Sequence, residues 1–182
     1  MPIWISFTLQ HRPHMHWYAL YTKPRNEKKV ADELQLKGYE VYLPLVTTIR
    51  QWSDRKKKVQ VPLFNSYLFI HTDYEKNYID ILSVFGVVKF VRIGKDIATL
   101  RDEQIHYIKT FLTHETELQV VNNTAFKLGE PITIVEGPFK GMTGHVAEYR
   151  KANYFAVEIE QLGANLLVTL PASYFHKTNT LI

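Results

Sequence analysis

The sequence predicts an α+β N-terminal domain, a mixed or antiparallel sheet flanked by helices, followed by a small all-β barrel. Three observations carry this. Helical periodicity alternates with short apolar strands as far as about His114. Residues 115–124 are polar and unpatterned, as a linker is. Beyond them glycines and prolines punctuate short alternating segments with no convincing helix. Several short strands in that span imply a barrel, because closing a sheet removes its exposed edges. The expected divisions are a tail at 1–16, the α+β domain at 17–114, the linker at 115–124, the barrel at 125–177 and a second tail at 178–182.

The elements follow in order. Residues 1–16 show no periodicity, and Met15, directly before the first strand pattern, is an alternative start of the chain. Trp17–Tyr21 is rich in aromatics and reads as a strand. Pro24 opens a helix that runs to about Lys37, with Val30, Ala31 and Leu34 inward and Gly38 as its stop. Tyr39–Leu43 is a short strand ending at Pro44. Thr47–Trp52 and Val59–Val61 flank a charged tip at Ser53-Asp54. Tyr67–His71 is almost continuously apolar, as a central strand is. Asp73 is placed to cap a helix whose Tyr78, Ile81, Leu82 and Phe85 share one buried stripe closed by Gly86. Val87–Ile93 reads as a strand, and a last helix is expected to start near Thr99, with Asp102 as capping partner and Ile105, Ile108 and Leu112 inward.

Composition narrows the function classes. The 182 residues are 46% apolar and 22% charged, ordinary for a globular chain. The absence of cysteine excludes disulfides, thiolate metal sites and a cysteine nucleophile, and suits a reducing cytoplasm. No apolar run approaches the ~20 residues that cross a bilayer, and the apolar stretch Met1–Leu9 lacks the basic start of a signal peptide. A formal charge of +4 with a pI near 9.1 is compatible with a nucleic-acid neighbour without arguing for one. No nucleophile elbow, P-loop, dinucleotide fingerprint or zinc-protease motif occurs, so no enzyme is expected, and no cofactor. His11, His14 and His16 lack carboxylate or thiolate support, so a disordered tail is expected there and no metal site.

The segment Leu128–Val146 carries the clearest motif. Gly137-Pro138 permits a tight turn, Gly141 tolerates positive φ, and Gly144 lets the next strand start in close quarters. The segment resembles the KOW motif of small SH3-like barrels, although glycines serving turns alone would explain it equally well. Trp17–Tyr21, Pro62–Phe69 and Gly86–Arg92, in this order and followed by that motif, resemble the N-terminal domain of the NusG family of transcription elongation factors over about Trp17 to Lys177. The hairpin Arg50–Lys56 is similar to that of specialised NusG paralogues, which serve particular long operons.

The resemblance implies an antitermination or processivity factor. It implies a monomer whose first domain grips the clamp helices of the largest RNA polymerase subunit and bridges the DNA cleft. Tyr21, Phe64, Tyr67, Phe69 and Phe90 are carried over as the gripping surface, with core packing as the competing role for all five and above all for Phe69 and Phe90, inside strong strands. The family commonly has proline and a small residue where Asn65 and Ser66 stand. Lys23, Arg25, Lys28 and Lys29 fall where the family faces non-template DNA. Arg50, Trp52, Arg55 and Lys56, with Lys57 and Lys58, are candidate nucleic-acid contacts on the hairpin, set against simple solvation of its tip. Leu162 is the candidate through which the KOW domain takes a ribosomal protein or the termination factor Rho. Helix-breaking Gly137, Pro138, Gly141 and Gly144 favour a constitutive barrel over a helical hairpin. The alternative function is a KOW-type RNA-binding or ribosome-associated protein.

Overall fold

The computed structural model describes residues 15–51, 55–114, 118–122, 128–149, 152–169 and 175–177. Strand β1 (Met15–Thr22) organises the first sheet. Helix α1 (Glu27–Leu36) follows, then β2 (Glu40–Tyr42), and then β3 (Leu45–Gln51) and β4 (Lys56–Pro62), which among the described residues pair only with each other. Strand β5 (Tyr67–Asp73) lies between β2 and β1, antiparallel to both, as its apolar run required. The far edge of β1 is shared by β6 (Val87–Phe90) and β9 (Thr99–Leu100).

Alternation along β1 and β5 sorts side chains to two faces. Tyr18, Leu20, Leu68 and Ile70 pack with Val30, Ala31 and Leu34 of α1 and Ile81 of α2 (Tyr74–Ser83). Trp17, Ala19 and Phe69 pack on the opposite side with Ile105, Ile108 and Phe111 of α3 (Asp102–Thr113). Asp73 caps α2 as expected, its Oδ1 accepting the Lys76 N–H at 3.3 Å.

Three helix readings change. Helix α1 starts at Glu27, three residues after Pro24, with Arg25 in the intervening turn at a left-handed φ of 64°. Helix α2 stops at Ser83, and Val84 is extended with ψ 125°, so Phe85 leaves the buried stripe and is 72% exposed. Thr99 belongs to β9, and α3 starts three residues later, with Gln104 Oε1 accepting the Arg101 N–H at 3.0 Å. Between β6 and β9, the short hairpin β7 (Arg92–Ile93) and β8 (Asp96–Ile97) turns at Gly94.

The second sheet holds β10 (Leu118–Asn122), β11 (Leu128–Ile134), β12 (Thr143–Tyr149), β13 (Ala152–Ile159), β14 (Ala164–Val168) and β15 (Phe175–Lys177). Its order is β10-β14-β13-β12-β11-β15, antiparallel throughout. Residues 118–122, read from sequence as part of a linker, are therefore an edge strand on β14. Among the described residues no pairing joins β10 to β15. Gly144 is required by close approach, since a Cβ there would stand 2.5 Å from the Ala156 carbonyl oxygen and 2.7 Å from the Phe155 ring.

Helix α3 joins the two sheets. Its Phe111 ring lies 5.1 Å from Phe139 and 6.2 Å from Phe155, centroid to centroid. The Tyr107 hydroxyl oxygen accepts the Thr143 N–H at 3.2 Å. Gln104 Nε2 donates to the Glu158 carbonyl at 3.3 Å, and Gln161 Nε2 donates to the Thr99 carbonyl at 2.7 Å. Trp17, Phe69, Phe111, Phe139 and Phe155 thereby share one continuous apolar cluster.

Candidate functional site

The α3-facing side of the first sheet carries a row of aromatic rings set by strand register. Tyr21 lies opposite Tyr67, and their rings are 5.3 Å apart. Both are half-buried, and Lys89 on the neighbouring strand holds its ammonium 5.9 Å from the Tyr21 ring. Burial first, and the neighbouring Tyr21 second, push the Tyr67 hydroxyl above its ordinary pKa. Next along the same face of β5 lies Phe69, with Phe64 edge-on to it at 5.9 Å and Tyr42 stacked at 6.3 Å.

Of the five carried-over rings, Phe64, Phe69 and Phe90 are only 4%, 0% and 2% exposed. Phe64 and Phe69 therefore belong to the core beside the exposed rings rather than to the surface itself. Phe90 is on the other face altogether: it pairs with Leu20 and meets Tyr18, Tyr74 and Tyr78 under α2. The solvent-facing part is the Tyr21–Tyr67 ledge.

Sequence reading missed the continuation of this row. An open hollow of ≈ 440 Å³ is lined by Tyr42, Pro44, Leu45, Lys109, Leu112 and Thr113. Burial pushes the Tyr42 hydroxyl up to about 12. Lys109 spans its edge, 5.1 Å from the Tyr42 ring and 5.3 Å from the Trp17 ring. The only sequence signal was an aromatic at the end of a strand before Pro44, which shows its face once Tyr42 is paired with Phe69.

The turn between Phe64 and Tyr67, with Asn65 and Ser66 at its centre, is held by backbone hydrogen bonds. Ser66 takes a left-handed φ of 65°, and its N–H donates to Glu27 Oε1 at 2.8 Å. Its carbonyl accepts the Thr22 N–H at 2.8 Å, which ties the turn to β1. Glu27 is buried in doing so.

The basic groups separate. Lys23, Arg25 and Lys29 are exposed around the entry to α1. Lys28 is turned toward the hairpin, its Nζ donating to the Gln60 carbonyl at 3.0 Å. On the hairpin, Arg55, Lys56, Lys57 and Lys58 are exposed, while Trp52 and the Arg50 side chain lie outside the described residues. Leu162 is half-buried, packed on the shared apolar cluster, in a turn whose Gln161 reaches Thr99. His16 is exposed on β1, whereas His11 and His14 lie outside the described residues. Among the described residues, no group of three or more His, Cys, Asp or Glu is gathered as a metal site, and no helix is long and apolar enough to cross a membrane.

The chain is 29% identical over 153 residues to a transcription termination/antitermination protein NusG of Thermus thermophilus, covering 74% of this chain and 82% of that one. A protein of the same description from Rickettsia typhi is 25% identical over 148 residues, covering 74% and 75%. A solved structure described as the domain interaction in Thermotoga maritima NusG shares the fold, with a TM-score of 0.52 at 22% identity over 90% of this chain and 97% of that one. A family model described as transcription termination factor NusG matches residues 15–109, the whole first sheet and most of α3, and the chain belongs to that family.

Proposed function

We propose that this protein is an antitermination or processivity factor that holds RNA polymerase through the tyrosine-lined face of its first domain. The occupant of that face is the pair of clamp helices of the largest polymerase subunit. The observation that carries the reading is the half-buried Tyr21–Tyr67 pair, continued by the hollow at Tyr42, Leu45 and Leu112. Such rings offer large apolar area at low conformational cost, which is what a helical partner's side chains need. Lys23, Arg25 and Lys29 face the non-template strand, and the hairpin residues Arg55 and Lys56 supply further phosphate contact.

In this reading residues 17–114 are the polymerase-binding domain. The second sheet, with β10 at 118–122 as well as β11–β15, is an SH3-like KOW barrel that takes a ribosomal protein or Rho through Leu162. Because the Glu160–Leu162 turn leans on Thr99 and Gln104, such a partner competes with that intramolecular contact. No chemical step is assigned to any residue: the protein works as an adaptor.

The test is a single-round run-through assay on a long template. Adding the protein is expected to shorten pauses and raise the yield of full-length transcript. Slower elongation, or pauses of unchanged length, would count against the reading. Retention of structured RNA without any retention of core polymerase would favour the RNA-binding alternative.

A further inference from the structure

The aromatic row on the α3-facing side of the first sheet has a cation at each end. At one end Lys89 of β6 stands opposite Tyr21 in register, with its Nζ 5.9 Å from the centre of that ring. At the other, Lys109 of α3 holds its Nζ 5.1 Å from the Tyr42 ring and 5.3 Å from the Trp17 ring. We propose that these two lysines select the occupant of this face by pairing with carboxylate side chains that a helical partner carries against it. The inference rests on the polymerase attachment proposed above and deepens it, by naming the charge that the gripped helices present.

Both lysines are exposed, and among the described residues neither forms an ion pair. A ring face attracts an ammonium without cancelling its charge, so each cation is oriented and still available to an anion. The other residues around the hollow are Tyr42, Pro44, Leu45, Leu112 and Thr113, which leaves the Lys109 ammonium as the single charge in its wall. Alternation along β2 puts the carboxylate of Glu40 on the same face as Tyr42. That carboxylate is already engaged: His71 Nδ1 lies 2.9 Å from its Oε2, and the His71 ring stacks on Trp17 at 5.1 Å.

An ion pair on an open surface contributes little, because water screens it and two long side chains lose freedom. At this face both losses shrink. A helix lying over the hollow keeps water from Lys109, and the two rings already restrict its ammonium, so less freedom remains to be lost. A helix with no acidic residue there would cover an unpaired ammonium, which opposes binding and so discriminates between partners. Trp17 and Tyr21 are four residues apart on β1, which sets the two cations roughly 13 Å apart along the strand. A helix lying along the row meets both with acidic residues about two to three turns apart.

The experiment titrates the fluorescently labelled full chain against purified core RNA polymerase at low and at raised salt. Lys109→Met and Lys89→Met keep an apolar stem beside the rings and remove the charge. Each is expected to weaken binding about 5- to 30-fold at low salt and to flatten the salt dependence. Lys109→Arg retains the affinity. Lys76→Met, on α2 behind the opposite face of the sheet, leaves it unchanged. Should both methionine variants bind like the wild type at either salt while the Tyr21→Ala, Tyr67→Ala double variant is weakened, charge selection is refuted and the aromatic attachment stands. An equal loss in Lys76→Met reduces the effect to net charge and refutes selection by these two residues. Should the wild type not bind core polymerase, the attachment and the selection fall together.

Discussion

Replacing Phe111 by alanine tests whether α3 unites the two sheets. Its side chain is fully buried, and its ring contacts Phe139 and Phe155 of the second sheet while its neighbour Ile108 lies in the same cluster as Trp17 and Phe69 of the first. Truncating a buried phenylalanine costs about 3–5 kcal/mol. The two ring pairs contribute about 0.5–1.5 kcal/mol each beyond area, so roughly 1–3 kcal/mol of the loss belongs to the contact between units. Urea unfolding of Phe111→Ala against wild type gives the total, and native-state hydrogen exchange in α3 and β11–β13 reports the contact. The expected result is a loss of about 3–5 kcal/mol together with faster exchange on both sides of the junction. A loss under about 1 kcal/mol with unchanged exchange would refute the shared core.

Three further outcomes follow from the same geometry. Gly144→Ala forces a Cβ against the Ala156 carbonyl and the Phe155 ring, and is expected to destabilise by about 1–3 kcal/mol in denaturant titration. A midpoint equal to wild type would show that β12 and β13 are not so close. Glu27→Ala leaves the Ser66 N–H without its carboxylate and is expected to cost about 1–3 kcal/mol, whereas Ser66→Gly, compatible with φ 65°, is expected to be tolerated. Hydrogen bonds from Lys37 at 2.6 Å and Tyr39 at 2.7 Å hold the Asp80 carboxyl below its usual pKa. That stabilisation is present above the unfolded value and is lost as pH falls through the folded one, in the range below about pH 4. Melting temperature should therefore fall less steeply with acid in Asp80→Asn than in wild type, and parallel curves would rule the linkage out.

Much of the fold was legible because local chemistry decided it. Asp73 caps α2, Val30 and Leu34 face inward, and β5 is central, each from residues a few positions apart. Phe85 leaves the helical stripe because the spacing does not continue past Ser83, where Val84 is extended and Gly86 takes φ 99°. Phe90, open in sequence between the gripping surface and the core, is core, because its side is set by pairing with Leu20, far away in sequence, and a strand's parity means nothing without its register. Lys28 looked like part of one basic cluster, yet Gln60 on a separate hairpin takes its ammonium. Residues 118–122 looked polar enough to be a linker, yet they add an edge to β14. The α3 junction depends on partners such as Gln104 and Glu158, and no local pattern announces such pairs.

The most direct test titrates fluorescently labelled protein against purified core RNA polymerase, comparing wild type with the Tyr21→Ala, Tyr67→Ala double variant. Both rings are half-buried on a supported face, so the variant keeps its core and loses the ledge. Loss of one such anchor costs about 2 kcal/mol, or roughly 30-fold, and loss of both is expected to weaken binding by more than that. Equal affinity of the two proteins, with the variant folded, would contradict the proposed attachment through this face.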